Sequence, residues 1–206
     1  MPDAKVPPRS LGSLPPEGAE SVPRGGPSGL TTVPSGIAIS ARGHPAPGWW
    51  RWLVLAVVVI ALDLATKAWV VAHFHEGEQW PVTSFFSLVL AYNTGAAFSF
   101  LAGHDGWQRW LFTAIAIVAS VFLVWMLRRG GHRLMMAGLA LILGGALGNL
   151  WDRIVIGRVT DFLLFQYAGW AWPAFNVADS AITVGAALLI WDSLRQRKEQ
   201  PGASNA

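Results

Sequence analysis

Cysteine is absent from the 206-residue chain, which excludes a cysteine nucleophile, thiolate metal ligands and disulfides. Charge is scarce as well. Asp, Glu, Lys and Arg make up 13% of the residues and hydrophobic types 53%, whereas soluble domains carry about 25% charged residues. That balance belongs to a protein bathed in lipid. No stretch interleaves basic with aromatic side chains as a nucleic-acid groove would, so no nucleic-acid partner is expected. Aromatics are plentiful instead: 12 Trp and 10 Phe, residue types that gather at bilayer interfaces.

Residues 1–48 are rich in Pro, Gly and Ser and show no apolar period. Such a segment buries too little surface to offset its ordering entropy, and it is expected to be a disordered tail. It lacks the apolar run and small-residue cleavage site of a signal peptide. Its Gly26-Pro27-Ser28-Gly29 matches the GxSG of rhomboid serine proteases, but that nucleophile needs a buried helix start. Four apolar segments follow, at about 49–71, 107–127, 134–150 and 178–194. At 1.5 Å per residue, 23 residues reach roughly 34 Å, enough to cross about 30 Å of hydrocarbon. The third carries Gly138, Gly144, Gly145 and Gly148, suited to close helix approach.

Basic residues set an orientation. Lys5, Arg9, Arg24, Arg42 and Arg51 precede or open the first span. Arg128, Arg129 and Arg133 lie between the second and third, and Arg195, Arg197 and Lys198 follow the fourth. Residues 72–106 contain no Lys or Arg. The positive-inside rule then predicts both termini in the cytoplasm, with residues 72–106 and 151–177 outside. Strand-like runs between Trp80 and Phe100 predict a small sheet on the outer surface, because backbone near the membrane must find partners. The fold class expected is an all-α membrane protein of four transmembrane helices with a small extracytoplasmic β-sheet.

Against this background the acids stand out. Asp161 and Asp179 flank a tryptophan-rich connector at the outer edge of the membrane, where an ionisable group is a functional candidate by default. Two carboxylates brought together tend to share a proton, the working state of an aspartic protease. Asp63 and Lys67 lie at i,i+4 in the first span and share a helix face. Polar and small residues accumulate in three further places: Asn93-Thr94-Gly95-Ala96-Ala97-Phe98, Gly148-Asn149-Leu150-Trp151-Asp152-Arg153 and Phe175-Asn176-Val177-Ala178-Asp179.

These motifs, in this order on four spans, resemble the lipoprotein signal peptidase (signal peptidase II) family over about residues 50–194. The resemblance implies an aspartic endopeptidase of the bacterial inner membrane. Its substrate is a prolipoprotein carrying a diacylglyceryl-cysteine, its setting membrane lipid, and cleavage falls just before that cysteine. It implies Asp161 and Asp179 as catalytic residues and Asn93, Asn149, Arg153 and Asn176 as substrate-binding residues lining the site. Asp63 and Lys67 become a structural polar pair, no metal or cofactor is needed, and a monomer is expected. The tail before the first span is longer than the family usually has.

Simpler readings exist for each residue. Asp179 is also suited to the start of a helix, Asp161 to a loop, and Asp152–Arg153 to a surface ion pair of little worth. The asparagines are common caps. His73-Phe74-His75-Glu76 is a loose metal motif without the H-E-x-x-H of zincins. Trp170 and Trp172 are interface anchors or a lid over the site. A proton-coupled transporter would also use membrane acids, but the chain shows no internal repeat. A presenilin-like protease would show GxGD, which is missing.

Overall fold

The computed structural model describes residues 45–94 and 107–198. Residues 1–44 of the expected tail, with the Gly26–Gly29 motif, and residues 95–98 of the Asn93–Phe98 motif lie outside them. Among the described residues, four helices are long and apolar enough to cross a membrane: α1 (Trp50–His73), α2 (Trp107–Arg129), α3 (Arg133–Val155) and α4 (Val177–Lys198). Strands β1 (Gln79–Pro81) and β2 (Phe86–Asn93) follow α1, while β3 (Val159–Tyr167) and β4 (Trp170–Ala171) fall between α3 and α4. The sheet order is β1-β2-β3-β4, antiparallel throughout.

Side-chain spacing explains how α1 sits. Its buried residues, Ala56, Val59, Asp63, Lys67 and Val70, recur every three or four positions and form one stripe. Val54, Val57, Val58 and Leu62 point away and stay exposed, as suits a lipid-facing surface. Helix α3 is covered most, from Met135 to Asp152. Its glycines make that possible. A Cβ on Gly144 would collide with Val59 and the Ala56 carbonyl, one on Gly145 with the Ala178 carbonyl, and Gly138 and Gly185 face each other's carbonyls. α3 therefore packs backbone-close against α1 and α4.

Two apolar clusters result. One joins Ala56, Leu123, Leu127, Met136, Leu139 and Leu143. The other, beneath the sheet, joins Val70, Phe74, Leu90 and Phe162. Between Ala56 and Val70 the buried stripe of α1 turns polar, at Asp63 and Lys67.

The sheet differs from the sequence expectation in one respect. Its central partner for β2 is β3, a segment placed outside but not predicted as strand. Register shifts by one residue between the Leu88–Leu163 and Ala91–Asp161 pairs, because β2 carries an extra residue there, a bulge. α3 also continues to Val155 rather than ending near Leu150, so Asp152 and Arg153 are helical. Ile156 and Gly157 both donate to the Asp152 carbonyl, and Gly157 takes φ +80° to close the helix.

Candidate active site

Asp161 lies on β3 opposite Ala91 of β2 and is 2% exposed. The chain then turns back through β4, and Phe175 binds β3 again: Phe162 and Leu163 N–H donate to the Phe175 carbonyl at 2.9 and 2.8 Å. That return brings Asn176 beside Asp161. Asn176 is fully buried, and its Nδ2 donates to Asp161 Oδ1 at 2.7 Å.

Asn176 also starts α4. Its Oδ1 accepts the Asp179 N–H at 2.8 Å, while Asp179 Oδ2 faces the Asn176 N–H at 3.4 Å. This is a reciprocal cap, with Asp179 in the first turn where the helix dipole favours an anion. Asp179 Oδ1 accepts a further bond from Asn149 Nδ2 at 2.7 Å. The Asn93 side chain bonds Asp161 from β2. Asp161, Asp179, Asn93, Asn149 and Asn176 thus form one polar cluster assembled from β2, α3, β3 and α4. Arg153, one turn beyond Asn149, donates to the Asn149 carbonyl at 3.2 Å and lies over the Phe112 ring. It interacts electrostatically with Asp179 and Asp161.

Burial, reinforced by the negative charge of Asp179, pushes the Asp161 carboxyl up to about 7. The hydrogen bonds from Asn93 and Asn176 and the charge of Lys67 pull the other way, and burial prevails. Asp179 is only partly buried, so the pair has one covered and one accessible member. A carboxyl protonated near neutrality beside a second, more open one can supply an acid and a base together.

Asp63 and Lys67 pair at 2.7 Å in the interior, as their spacing predicted. Their third partner was not anticipated. Asp152 is 7% exposed and lies 3.2 Å from Lys67, and its Oδ2 accepts the Thr160 N–H at 2.9 Å. The surface pair of Asp152 with Arg153 is therefore replaced by a buried one with Lys67. The signal was available, since Asp152 stands three residues after Asn149 and shares its helix face. Arg109 was also missed. It donates from Nε to the Arg153 carbonyl and from Nη2 to the Ile154 carbonyl, both at 2.8 Å, holding the end of α3.

The His73–Glu76 segment is tied locally. His73 Nδ1 bonds the Trp69 carbonyl at 2.7 Å and its ring stacks on Trp69, while Glu76 faces Arg158 at 3.6 Å. Trp170 and Trp172 are exposed and in edge-to-face contact beside β3.

Comparisons with known proteins agree with this architecture. The family described as Signal peptidase (SPase) II matches residues 55–195. The lipoprotein signal peptidase of Ralstonia nicotianae is 55% identical over 158 residues, 76% of this chain and 90% of that protein. That of Cupriavidus necator is 56% identical over 146 residues, 70% and 83%. A bacterial membrane enzyme solved by the in meso method at 2.3 Å resolution is similar in fold. Its TM-score is 0.68 at 27% identity, over 80% of this chain and all of that one. A second, at 1.9 Å resolution, gives 0.64 at 29% identity over 74% and 98%. The protein is thus a multi-pass membrane peptidase of the aspartic class. It belongs to the signal peptidase II family.

Proposed function

We propose that the protein removes the signal peptide from diacylglyceryl-modified prolipoproteins, cutting before the lipid-bearing cysteine, with Asp161 and Asp179 as its catalytic dyad. The observation that carries this reading is Asn176, whose single side chain donates from Nδ2 to the Asp161 carboxyl and accepts the backbone N–H of Asp179 at Oδ1. Asp161, with its raised carboxyl, holds the proton the pair shares. Asp179 takes a proton from water, and the resulting hydroxide attacks the scissile carbonyl as Asp161 protonates its oxygen. On collapse, Asp179 returns its proton to the leaving nitrogen and Asp161 regains its own. Arg153, Asn93 and Asn149 line the site and hold the peptide backbone, and Arg153 steadies charge that develops there.

The membrane domain occupies residues 49–194 and acts as a monomer in the bacterial inner membrane. Segments 1–48 and 195–206 are cytoplasmic tails, and the dyad lies on the extracytoplasmic side. There the lipid of the substrate stays in the bilayer while its peptide crosses the two aspartates.

The test is the mobility shift of a diacylglyceryl-modified prolipoprotein on loss of its signal peptide. Asp161→Asn and Asp179→Asn should each abolish the shift while the protein still accumulates in the membrane. Normal processing by either variant refutes the dyad.

A further inference from the structure

Beneath the aspartates lies a cation that the proposed chemistry does not use. The Lys67 ammonium is 3% exposed and has three N–H donors and no acceptor. It donates to Asn149 Oδ1 at 3.0 Å and is ion-paired with Asp63 Oδ2 at 2.7 Å and Asp152 Oδ2 at 3.2 Å. We propose that Lys67 is a positioning residue for peptide cleavage, fixing through Asn149 the hydrogen bond that Asp179 receives and through Asp63 and Asp152 the backbone before each aspartate. The proposal rests on the dyad assignment above.

The amide of Asn149 has two ends of opposite polarity and nearly the same shape. Because Lys67 can only donate, the carbonyl end must face it, and the NH2 end is left to meet Asp179 Oδ1 at 2.7 Å. Asn176 Nδ2 also reaches Asn149 Oδ1, at 3.1 Å. That NH2 group has two hydrogens, however, and two further acceptors within reach: Asp161 Oδ1 at 2.7 Å and the Thr160 carbonyl at 3.2 Å. Its hold on Asn149 is shared, so the cation decides the orientation.

The same cation reaches the backbone on both sides of the dyad. Asp63 Oδ1 accepts the N–H of Ala178 at 2.9 Å, and Asp152 Oδ2 accepts that of Thr160 at 2.9 Å. Ala178 immediately precedes Asp179, and Thr160 immediately precedes Asp161. One ammonium therefore links α1, α3, β3 and α4 at the points where the two carboxylates enter the site.

Without Lys67, the Asn149 amide can turn and set its oxygen against a carboxylate oxygen of Asp179. That arrangement is repulsive until a proton intervenes. The charged groups around Asp179 are Asp161 on β3 and Arg153 on α3, with Lys67, Asp63 and Asp152 behind Asn149. Arg153 donates to the Asn149 backbone carbonyl rather than its side chain and does not substitute for Lys67.

The experiment compares full-length Lys67→Met and Lys67→Gln with the wild type, cleaving a purified diacylglyceryl-modified prolipoprotein between about pH 4 and 9. Both variants remove the charge, but Gln keeps an N–H donor. For Lys67→Met, kcat should fall about 100-fold with KM within about twofold, and the acid limb of the profile should rise by about one pH unit. Lys67→Gln should recover about tenfold of that loss, with its acid limb moved back toward the wild type. Equal loss in both variants with unmoved limbs overturns the proposal and leaves Lys67 a structural residue. Should Lys67→Met fail to accumulate, Asp63→Asn/Lys67→Met/Asp152→Asn removes the unpaired carboxylates, and the same limb shift is expected or refuted in it. Asp161→Asn and Asp179→Asn run alongside. Cleavage by either removes the dyad itself, whereas inactivity of both beside a wild-type profile for Lys67→Met removes only the positioning role.

Discussion

Asn176 caps the helix that carries Asp179: its Oδ1 accepts the Asp179 N–H at 2.8 Å while its Nδ2 reaches away to Asp161. Cap and dyad therefore depend on the same amide. Asn176→Asp retains an acceptor for the cap but replaces the donor to Asp161 with a third acid. The cap acceptor survives, but a third carboxyl buried beside Asp161 should destabilise the fold by a few kcal/mol at neutral pH and less in acid, while cleavage per folded molecule should fall at least about 100-fold. Thermal unfolding in detergent and the prolipoprotein shift assay measure the two separately, and retained cleavage would contradict the role given to Nδ2.

The pH dependence of stability follows from Asp161. Its folded carboxyl titrates at about 7, above the unfolded value, so between about pH 4 and 7 the folded state holds a proton the unfolded chain has released. The associated stability is fully present below the unfolded value and is lost as pH rises through 7. The full span is on the order of 4 kcal/mol. Asp161→Asn is uncharged at every pH. It should melt higher than the wild type at about pH 8.5, with the advantage shrinking toward pH 4. An Asn variant that melts lower at alkaline pH would show that the site welcomes the charge.

Two glycines of the bundle should behave differently. A Cβ on Gly148 would lie 2.7 Å from Asp63 Oδ2, a carboxylate held by Lys67 and Ala178. A Cβ on Gly185 would lie 2.6 Å from the Gly138 carbonyl, away from those groups. Each change to Ala should cost about 1–3 kcal/mol by overpacking. Only Gly148→Ala should also lower kcat per folded molecule, read as cleavage normalised to the folded fraction.

Arg109→Ala removes both side-chain bonds to the last turn of α3. A destabilisation of about 1 kcal/mol is expected, with faster amide exchange at Ile156 and Gly157. Arg109→Lys, a single point donor, should restore part of it. Unchanged exchange in Arg109→Ala would mean the carbonyls are served equally well by water.

The natural absence of cysteine makes orientation easy to test. Ser84→Cys in the exposed β1–β2 turn should react with an impermeant maleimide in intact cells whose outer membrane is opened. His132→Cys, between α2 and α3, should react only after the inner membrane is breached. The reverse pattern would invert the proposed topology.

Much of this fold was legible because lipid imposes a simple rule: long apolar runs become spans, and the Asp63–Lys67 spacing places two charges on one face. The glycines of α3 likewise announced close packing. β3 escaped notice because its pairing with β2 is long-range, although Val159, Thr160, Phe162 and Phe165 all favour a strand. Asp152 was misjudged for a related reason. Its sequence neighbour Arg153 suggested a local pair, while the true partner, Lys67, is supplied by another helix. Charge partners are chosen by tertiary distance, which a linear reading does not contain.

The late position of β3 in the chain bears on how the protein is made. β2 emerges early, yet its partner strand follows two further spans, and the cap at Asn176 needs α4 as well. Asp161 and Asp179 both belong to the closing stretch of the polypeptide. A nascent chain that has inserted its first three helices therefore has no assembled pair of acids. Under the dyad assignment, proteolytic competence arrives only when the last helix enters the bilayer.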